Sequence, residues 1–272
     1  MKKLNSLLIA TVLAGGVFYS CENASVDPLD EPVSMETLSK IESMGFSTEG
    51  VIRFESGYLV ENDIYLTETD LSIANKGTKI PTLEQYSTNN LVCGPRTITV
   101  YAPTGRKGYS AGMIAGLDLA IARYNAQNLS LTFQRVTSSN ADIVFTRLSK
   151  RDERRGVLGS AGFPTNSCEP YGQIKMSGIL ESSYGLSTGG IATIIGHEMG
   201  HCIGFRHTDY FDRSISCGGG TANEGDGGVG ANHIPGTPTG ATANAKSWML
   251  ACTDGSDRPF NNDDKTALDY LY

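Results

Sequence analysis

Hydrophobic and polar positions change period several times along the chain, and each change marks an element. Met35, Leu38, Ile41 and Met44 recur at helical spacing and stop at Gly45, which predicts a short helix. Residues 51–54 and 58–66 read as strands, separated by a turn at Gly57. Residues 75–90 are polar, contain Gly77 and Pro81, and read as a linker. A β-rich run at 96–102, an amphipathic helix over 110–125, and strands at 129–136 and 142–147 follow. A long loop then leads to a strand at 171–176, expected at the sheet edge, where an extended peptide could add by backbone hydrogen bonds. Ser187 or Thr188 can cap the next helix, whose Ile191, Ile194, Ile195 and Met199 define a buried face. Gly189, Gly190 and Gly196 weaken that helix, so packing must hold it. The last residues, from Asn262, read as a capped helix with acidic residues at its positive end.

With 272 residues, the chain can bury one good-sized core, or one core plus a small accessory segment. Its net charge of -7 excludes a nucleic-acid binder by charge. Residues 1–20 carry Lys2 and Lys3, an apolar stretch at 7–18 and then Ser20, the layout of an export signal. The apolar stretch is short for a bilayer span. Cys21 follows directly, as in a bacterial lipoprotein whose cysteine is acylated, although Phe18 and Tyr19 fit that pattern loosely. The expectation is a bacterial cell-envelope lipoprotein or a secreted protein, touching membrane only through a lipid anchor. Residues 23–32 are polar and proline-punctuated, as a tether would be. Export places Cys93, Cys168, Cys202, Cys217 and Cys252 where disulfides persist, and five thiols allow two bridges and one free cysteine, in pairings the sequence leaves open.

The chemistry is concentrated in one place. Of the four histidines, three fall within residues 197–207, as His197, His201 and His207, with Glu198 beside the first. Residues four apart share a helix face, so His197 and His201 can offer ring nitrogens to one metal ion. Gly204 can take a left-handed conformation past the last helical turn and redirect the chain, bringing His207 in as the third ligand. Three protein ligands with an open fourth position are the mark of a catalytic zinc, and Glu198 is placed to act as general base. His233 is left over and is not expected to be a ligand.

The string from His197 to Asp209 resembles the metzincin zinc peptidases, and specifically the dual-action HEIGH metallopeptidase family of bacterial secreted proteins. That resemblance implies an α+β zinc endopeptidase: a twisted mixed sheet, an active-site helix, a Met-turn and a C-terminal helix, preceded by a small pro-like segment. It implies one catalytic Zn2+, protein or peptide substrates and a monomer. Ser247-Trp248-Met249-Leu250 is similar to the turn that puts a methionine, here Met249, beneath the metal; Ala251 stands where some relatives have a tyrosine near the ion. The organisation expected is a signal at 1–20, a lipidated tether and pro-like segment at 21–92, and the catalytic domain at 93–272.

Several assignments stay open. Val60-Glu61-Asn62-Asp63-Ile64 resembles the pro-segment motif of astacins, making Asp63 a candidate inhibitory ligand, with Asn62 in place of that motif's glycine. The alternative is a plain strand-end carboxylate. Cys93-Gly94 could supply a blocking thiolate or, alternatively, a disulfide. Asp209 could orient a ligand histidine or brace a turn. Asn223, Glu224 and Asp226, in a glycine-rich stretch, offer oxygens of the kind a structural Ca2+ takes, against the reading of a surface loop. A peptide- or glycan-binding lipoprotein with a purely structural metal is the rival function; Glu198 argues against it, since a structural site needs no base. Gly159-Ser160-Ala161-Gly162 does not fit a nucleophile elbow, so a serine or cysteine hydrolase has no support.

Overall fold

The computed structural model describes residues 31–73, 85–106, 108–220, 223–224, 230–238 and 246–272; the export segment and Cys21 lie outside them. The chain begins with α1 (Met35–Ser43), whose N-terminus is capped by Ser34 Oγ accepting from Thr37 N at 3.1 Å. Strands β1 (Ile52–Phe54), β2 (Gly57–Val60) and β3 (Ile64–Thr67) then form a small antiparallel sheet, followed by α2 (Glu68–Ile73). The expected single strand over 58–66 is therefore two strands joined by a tight turn. Apolar alternation runs on through Val60 and Ile64, which hides the break, while Glu61 and Asn62 take left-handed φ values of 55° and 72°. Asn tolerates that region and Glu does so only where surrounding contacts impose it.

Next come β4 (Tyr86–Ser87), β5 (Arg96–Tyr101), α3 (Ala111–Asn125), β6 (Leu131–Val136), β7 (Ile143–Arg147), α4 (Lys150–Arg154), β8 (Gly159–Ser160) and β9 (Gln173–Met176). The helix α5 (Thr188–Ile203), capped by Ser187, precedes α6 (Ser214–Cys217), β10 (Asn232–His233) and α7 (Asn262–Leu271). This is an α+β protein built on a twisted five-stranded mixed sheet, ordered β6-β5-β7-β9-β8, in which only β8 runs antiparallel to its neighbour. Residues 171–176 are thus not the edge. That place belongs to the two-residue β8, too short and too glycine-rich to show a period.

Alternation in the strands puts Ile98, Val100, Leu131, Phe133, Ile143, Phe145, Ile174 and Met176 on one face, packed in a single core with α3 and α5. The opposite face, at the β8–β9 end, is covered by the N-terminal sheet. Buried Lys175 of β9 lies 5.2 Å from the ring centres of Phe54 and Tyr65 and pairs with Glu55, while Phe54 and Leu59 pack with Leu148 and Val157. Strand β3 also reaches the sheet edge directly: Ala161 N donates to Asp63 O and Tyr65 N donates to Ala161 O, both at 3.0 Å.

The expected linker differs too. Residues 74–84 lie outside those described, but Gln85, Tyr86, Ser87 and Thr88 are buried. Several of their polar groups pair far along the chain: Gln85 Nε2 donates to Asp264 Oδ1 at 2.6 Å, and β4 pairs with β10. Two disulfides, Cys93–Cys168 and Cys217–Cys252, resolve the open pairing, and Cys202 is free and buried in α5. Cys93 is therefore bonded and supplies no thiolate. Among the described residues, no helix is long and apolar enough to cross a membrane.

Candidate metal centre

Helix α5 ends as its sequence demands. Gly204 adopts φ 112°, its N–H closes onto Gly200 O and His201 O, and Phe205 N returns to Gly200 O at 2.9 Å. A side chain here would also strike Leu91 and Asn90, so both backbone sign and space require glycine. The chain then leaves the helix pinned on two sides. Thr88 N donates to Gly204 O and Arg206 N to Tyr86 O, which ties residues 204–206 to β4, while Thr208 N donates to Met249 O at 2.8 Å. His207 sits between these ties. The segment that reads as a linker is what places the third histidine.

The three imidazoles converge. His197 Nε2 and His201 Nε2 are 3.0 Å apart, and Asp63 Oδ2 lies 3.2 Å from His197 Nε2 and 3.0 Å from His207 Nε2. One donor atom from each of these four buried residues falls within 4.8 Å of all the others. The far side of every ring is held: His197 Nδ1 donates to Trp248 O at 2.9 Å and His201 Nδ1 to Phe205 O at 2.8 Å. His207 Nδ1 donates to the Glu224 carboxylate at 2.9 Å. With Nδ1 protonated on His197 and His201, their Nε2 atoms face each other as bare lone pairs beside a carboxylate oxygen. That arrangement is repulsive unless a cation lies among them, so the donor set fits a metal ion, and its N3O composition suits zinc.

Without metal, the charges must balance through protons. Burial alone would push the Asp63 carboxyl up, but the charge of His207 and the contacts with the His197 and His207 rings hold it well below its ordinary range. Burial opposes charge on His207, yet Asp63 and Glu224 on either side keep it protonated well above the usual imidazole range. A metal ion would take the place of that Nε2 proton.

Glu198 is buried one residue along α5. Burial first, and then the negative charge of Asp63, push its carboxyl well above the ordinary value. Its Oε2 has no hydrogen-bond partner, and a methyl group at Gly159 of β8 would lie 2.3 Å from its Oε1. A cavity of about 570 Å³ opens beside it, lined by Asp63, His197, Glu198, Ile194, Val157 and Leu250 among others. Met249 is fully buried and packs its sulfur against Gly200 of α5.

Residues 58–272 match the family model described as dual-action HEIGH metallo-peptidase. The chain belongs to that family. Membership of the HEIGH metallo-peptidases implies a metal, usually zinc, and the histidine cluster with Asp63 is a place for one. Two solved structures are similar to the chain. One, "Crystal structure of myroilysin", shares 16% identity at a TM-score of 0.33 and covers 44% of this chain and 47% of that chain. The other, "Structure of myroilysin", shares 13% identity at a TM-score of 0.41 and covers 67% of this chain and 96% of that chain. The chain thus spans less than half of the first of them. No curated protein matches it.

Within this HEIGH metallo-peptidase chain, several second-layer residues escaped sequence reasoning. Glu224 is fully buried, ion-paired to Arg213 Nε at 2.9 Å, and hydrogen-bonded to His207; it is not a surface oxygen awaiting Ca2+, and Asp226 lies outside the described residues. Glu61 and Arg206 are also fully buried nearby. A motif search passes over them because acidic and basic residues in glycine-rich or strand-end sequence look solvated. Asp209 braces the loop, its Oδ1 accepting from Ala251 N at 2.8 Å and its Oδ2 from Ser216 Oγ at 2.6 Å. His233 stands apart from the cluster, beside Thr237.

Proposed function

We propose that the chain is a zinc endopeptidase held latent by its own N-terminal sheet. His197, His201 and His207 would hold the ion through Nε2, each ring fixed in tautomer and angle by its Nδ1 partner. The ion, when bound, polarises the scissile carbonyl and makes water acidic enough to be deprotonated near neutral pH. Glu198 takes the proton from that water and passes it to the leaving amine. Its burial and lack of a competing partner at Oε2 suit a carboxylate that must hold and release a proton in a dry cleft. Asp63 Oδ2, set among the histidine nitrogens, would take the ion's remaining position in place of water, so the N-terminal sheet must be displaced before catalysis.

Met249 forms the apolar floor of a metzincin-type Met-turn, and residues flanking β8 offer backbone groups to an extended substrate where Ala161 now pairs with β3. Cys21 carries a lipid anchor in the envelope of a bacterium, or the protein is released; it acts as a monomer on protein or peptide substrates. The single observation carrying this reading is the convergence of three Nε2 atoms and one carboxylate oxygen, with every opposite ring nitrogen engaged.

The test is zinc analysis of the full chain together with digestion of a broad peptide library after activation by limited proteolysis, with and without chelator, for wild type and Glu198→Gln. Stoichiometric zinc, chelator-sensitive cleavage and a zinc-loaded but inactive Glu198→Gln are expected. Full activity in a zinc-loaded Glu198→Gln would remove Glu198 from the role of base.

A further inference from the structure

Gln85 sits where four distant stretches of the chain meet behind the histidine cluster. Its backbone lies in the left-handed region at φ 55°, a conformation that a residue with a bulky side chain holds only where its surroundings impose it. Bonds at both ends of the residue impose it here. The Gln85 carbonyl accepts from Ile234 N at 3.0 Å. The side chain is buried and donates from Nε2 to Asp264 Oδ1 at 2.6 Å and to Ser247 Oγ at 3.2 Å. From these two partners the bonds continue to two of the histidines. Asp264 Oδ2 accepts from Trp248 N at 3.3 Å and from Asn261 N at 2.9 Å, where α7 begins. Trp248, held through its N–H, presents its own carbonyl to His197 Nδ1 at 2.9 Å. Ser247 Oγ accepts from Met249 N at 3.1 Å and meets Thr208 Oγ1, next to His207, at 2.7 Å. Asp264, Ser247, Trp248 and Thr208 are all buried, so a lost partner in this network leaves a polar group in a dry interior. The residues after Gln85 grip the same region from the other side, through Tyr86 O and Thr88 N on residues 204–206.

We propose that Gln85 is a positioning residue for the metal centre: its amide fixes Asp264 and Ser247, and through them the turn 247–249 that sets the angle of the His197 ring and the loop that carries His207. This rests on the reading of the centre as that of a peptidase freed by displacing the N-terminal sheet. The active form must then keep Gln85, whereas the sheet that covers the centre, residues 52–67, lies wholly before it. The catalytic unit therefore starts no later than Gln85, eight residues ahead of Cys93.

The full chain carrying Gln85→Met, which keeps the length of the side chain and removes its donor, is compared with wild type for zinc affinity by competition with a chromophoric chelator. Affinity should fall about tenfold, the low end of what outer partners of metal ligands give, since Gln85 acts through Trp248. After activation by limited proteolysis and at saturating zinc, kcat on a peptide substrate should fall about tenfold with KM within about twofold. Leu131→Ala, a core change on β6 at the far side of the sheet, should lower Tm without moving zinc affinity or kcat, which separates positioning from loss of stability. Gln85→Glu sets two carboxyls against each other and should be impaired like Gln85→Met. Adding Asp264→Asn returns a donor to that contact from the opposite side and should recover most of the zinc affinity. This pair carries the comparison if Gln85→Met does not fold. Sequencing of the active fragment, purified away from the released piece, should find Gln85 retained. Wild-type zinc affinity and kcat in a folded Gln85→Met, a Gln85→Glu defect that Asp264→Asn does not relieve, or an active fragment beginning after Thr88 overturns the positioning role and leaves the peptidase reading standing. Absence of any zinc-dependent cleavage by activated wild type defeats the peptidase reading, while the chelator competition still decides whether Gln85 positions the histidines.

Discussion

Replacing Asp63 by alanine in the full-length chain separates a latent peptidase from a closed structural site. Asp63 Oδ2 makes two contacts with ligand nitrogens, at 3.2 Å to His197 and 3.0 Å to His207. With zinc loaded those nitrogens would face the ion, and the carboxylate's attraction to the ion takes the place of the hydrogen bonds; on the scale of a charged contact, about 1.5–3 kcal/mol, a net preference of about 3 kcal/mol for the blocked state is the upper end. At 1.4 kcal/mol per decade, losing it raises the open population about 100-fold. The rise should stop short of full activation, because alanine leaves the backbone bonds of Asp63 and Tyr65 to Ala161, the Lys175–Glu55 pair and the buried Glu61 in place. A ten- to hundredfold gain in cleavage of a quenched fluorescent peptide is the expectation. Intact mass must confirm that the chain is unprocessed, and metal analysis that each sample carries one zinc. No gain in an intact, zinc-loaded Asp63→Ala would refute the reasoning and leave Asp63 as the fourth ligand of a site that never opens.

Glu224→Gln should cut metal affinity about 10- to 100-fold, since the neutral amide no longer supports His207 as a basic ligand; competition with a chromophoric chelator measures it. Gly159→Ala drives a methyl into Glu198, so the zinc-loaded, proteolytically activated variant should lose kcat by about tenfold or more with zinc content unchanged; unchanged kcat would mean that Glu198 works from another rotamer. Asp264 gives a pH signature. Burial pushes its carboxyl up to about 6, against the hydrogen bonds from Ser247, Asn261, Trp248 and Gln85. A raised folded-state value means stability is greatest below the unfolded value near 4 and is lost as pH rises through about 6. Wild type should therefore gain up to about 3 kcal/mol relative to Asp264→Asn between pH 7 and pH 4 in denaturant midpoints, and a flat difference would show that folding does not raise the Asp264 carboxyl.

Much of the candidate site was legible because it is local. The spacing of His197, Glu198 and His201 is a property of one helix, Gly204 announces its end, and the cap at Ser187 and the alternation in β5, β6 and β7 follow from short-range rules. Asp63 was legible only as one of two readings, through its resemblance to a known pro-segment motif. What failed was also systematic. The turn at Glu61-Asn62 was invisible because apolar positions keep their period across it, and residues 85–88 read as linker because their polar side chains find partners far along the chain.

From the sequence alone came the three histidines of the candidate metal centre, the family they resemble and the order of the main elements, because each depends on residues within a turn or two of one another. Tertiary structure alone decided that β8 is the edge, that Asp63 meets the histidines, and that Glu61, Arg206, Arg213 and Glu224 form one buried charge cluster behind them. The physical reason is that burial and pairing of charge are settled by which distant segments share a space, and that is a property of packing, which no local pattern records.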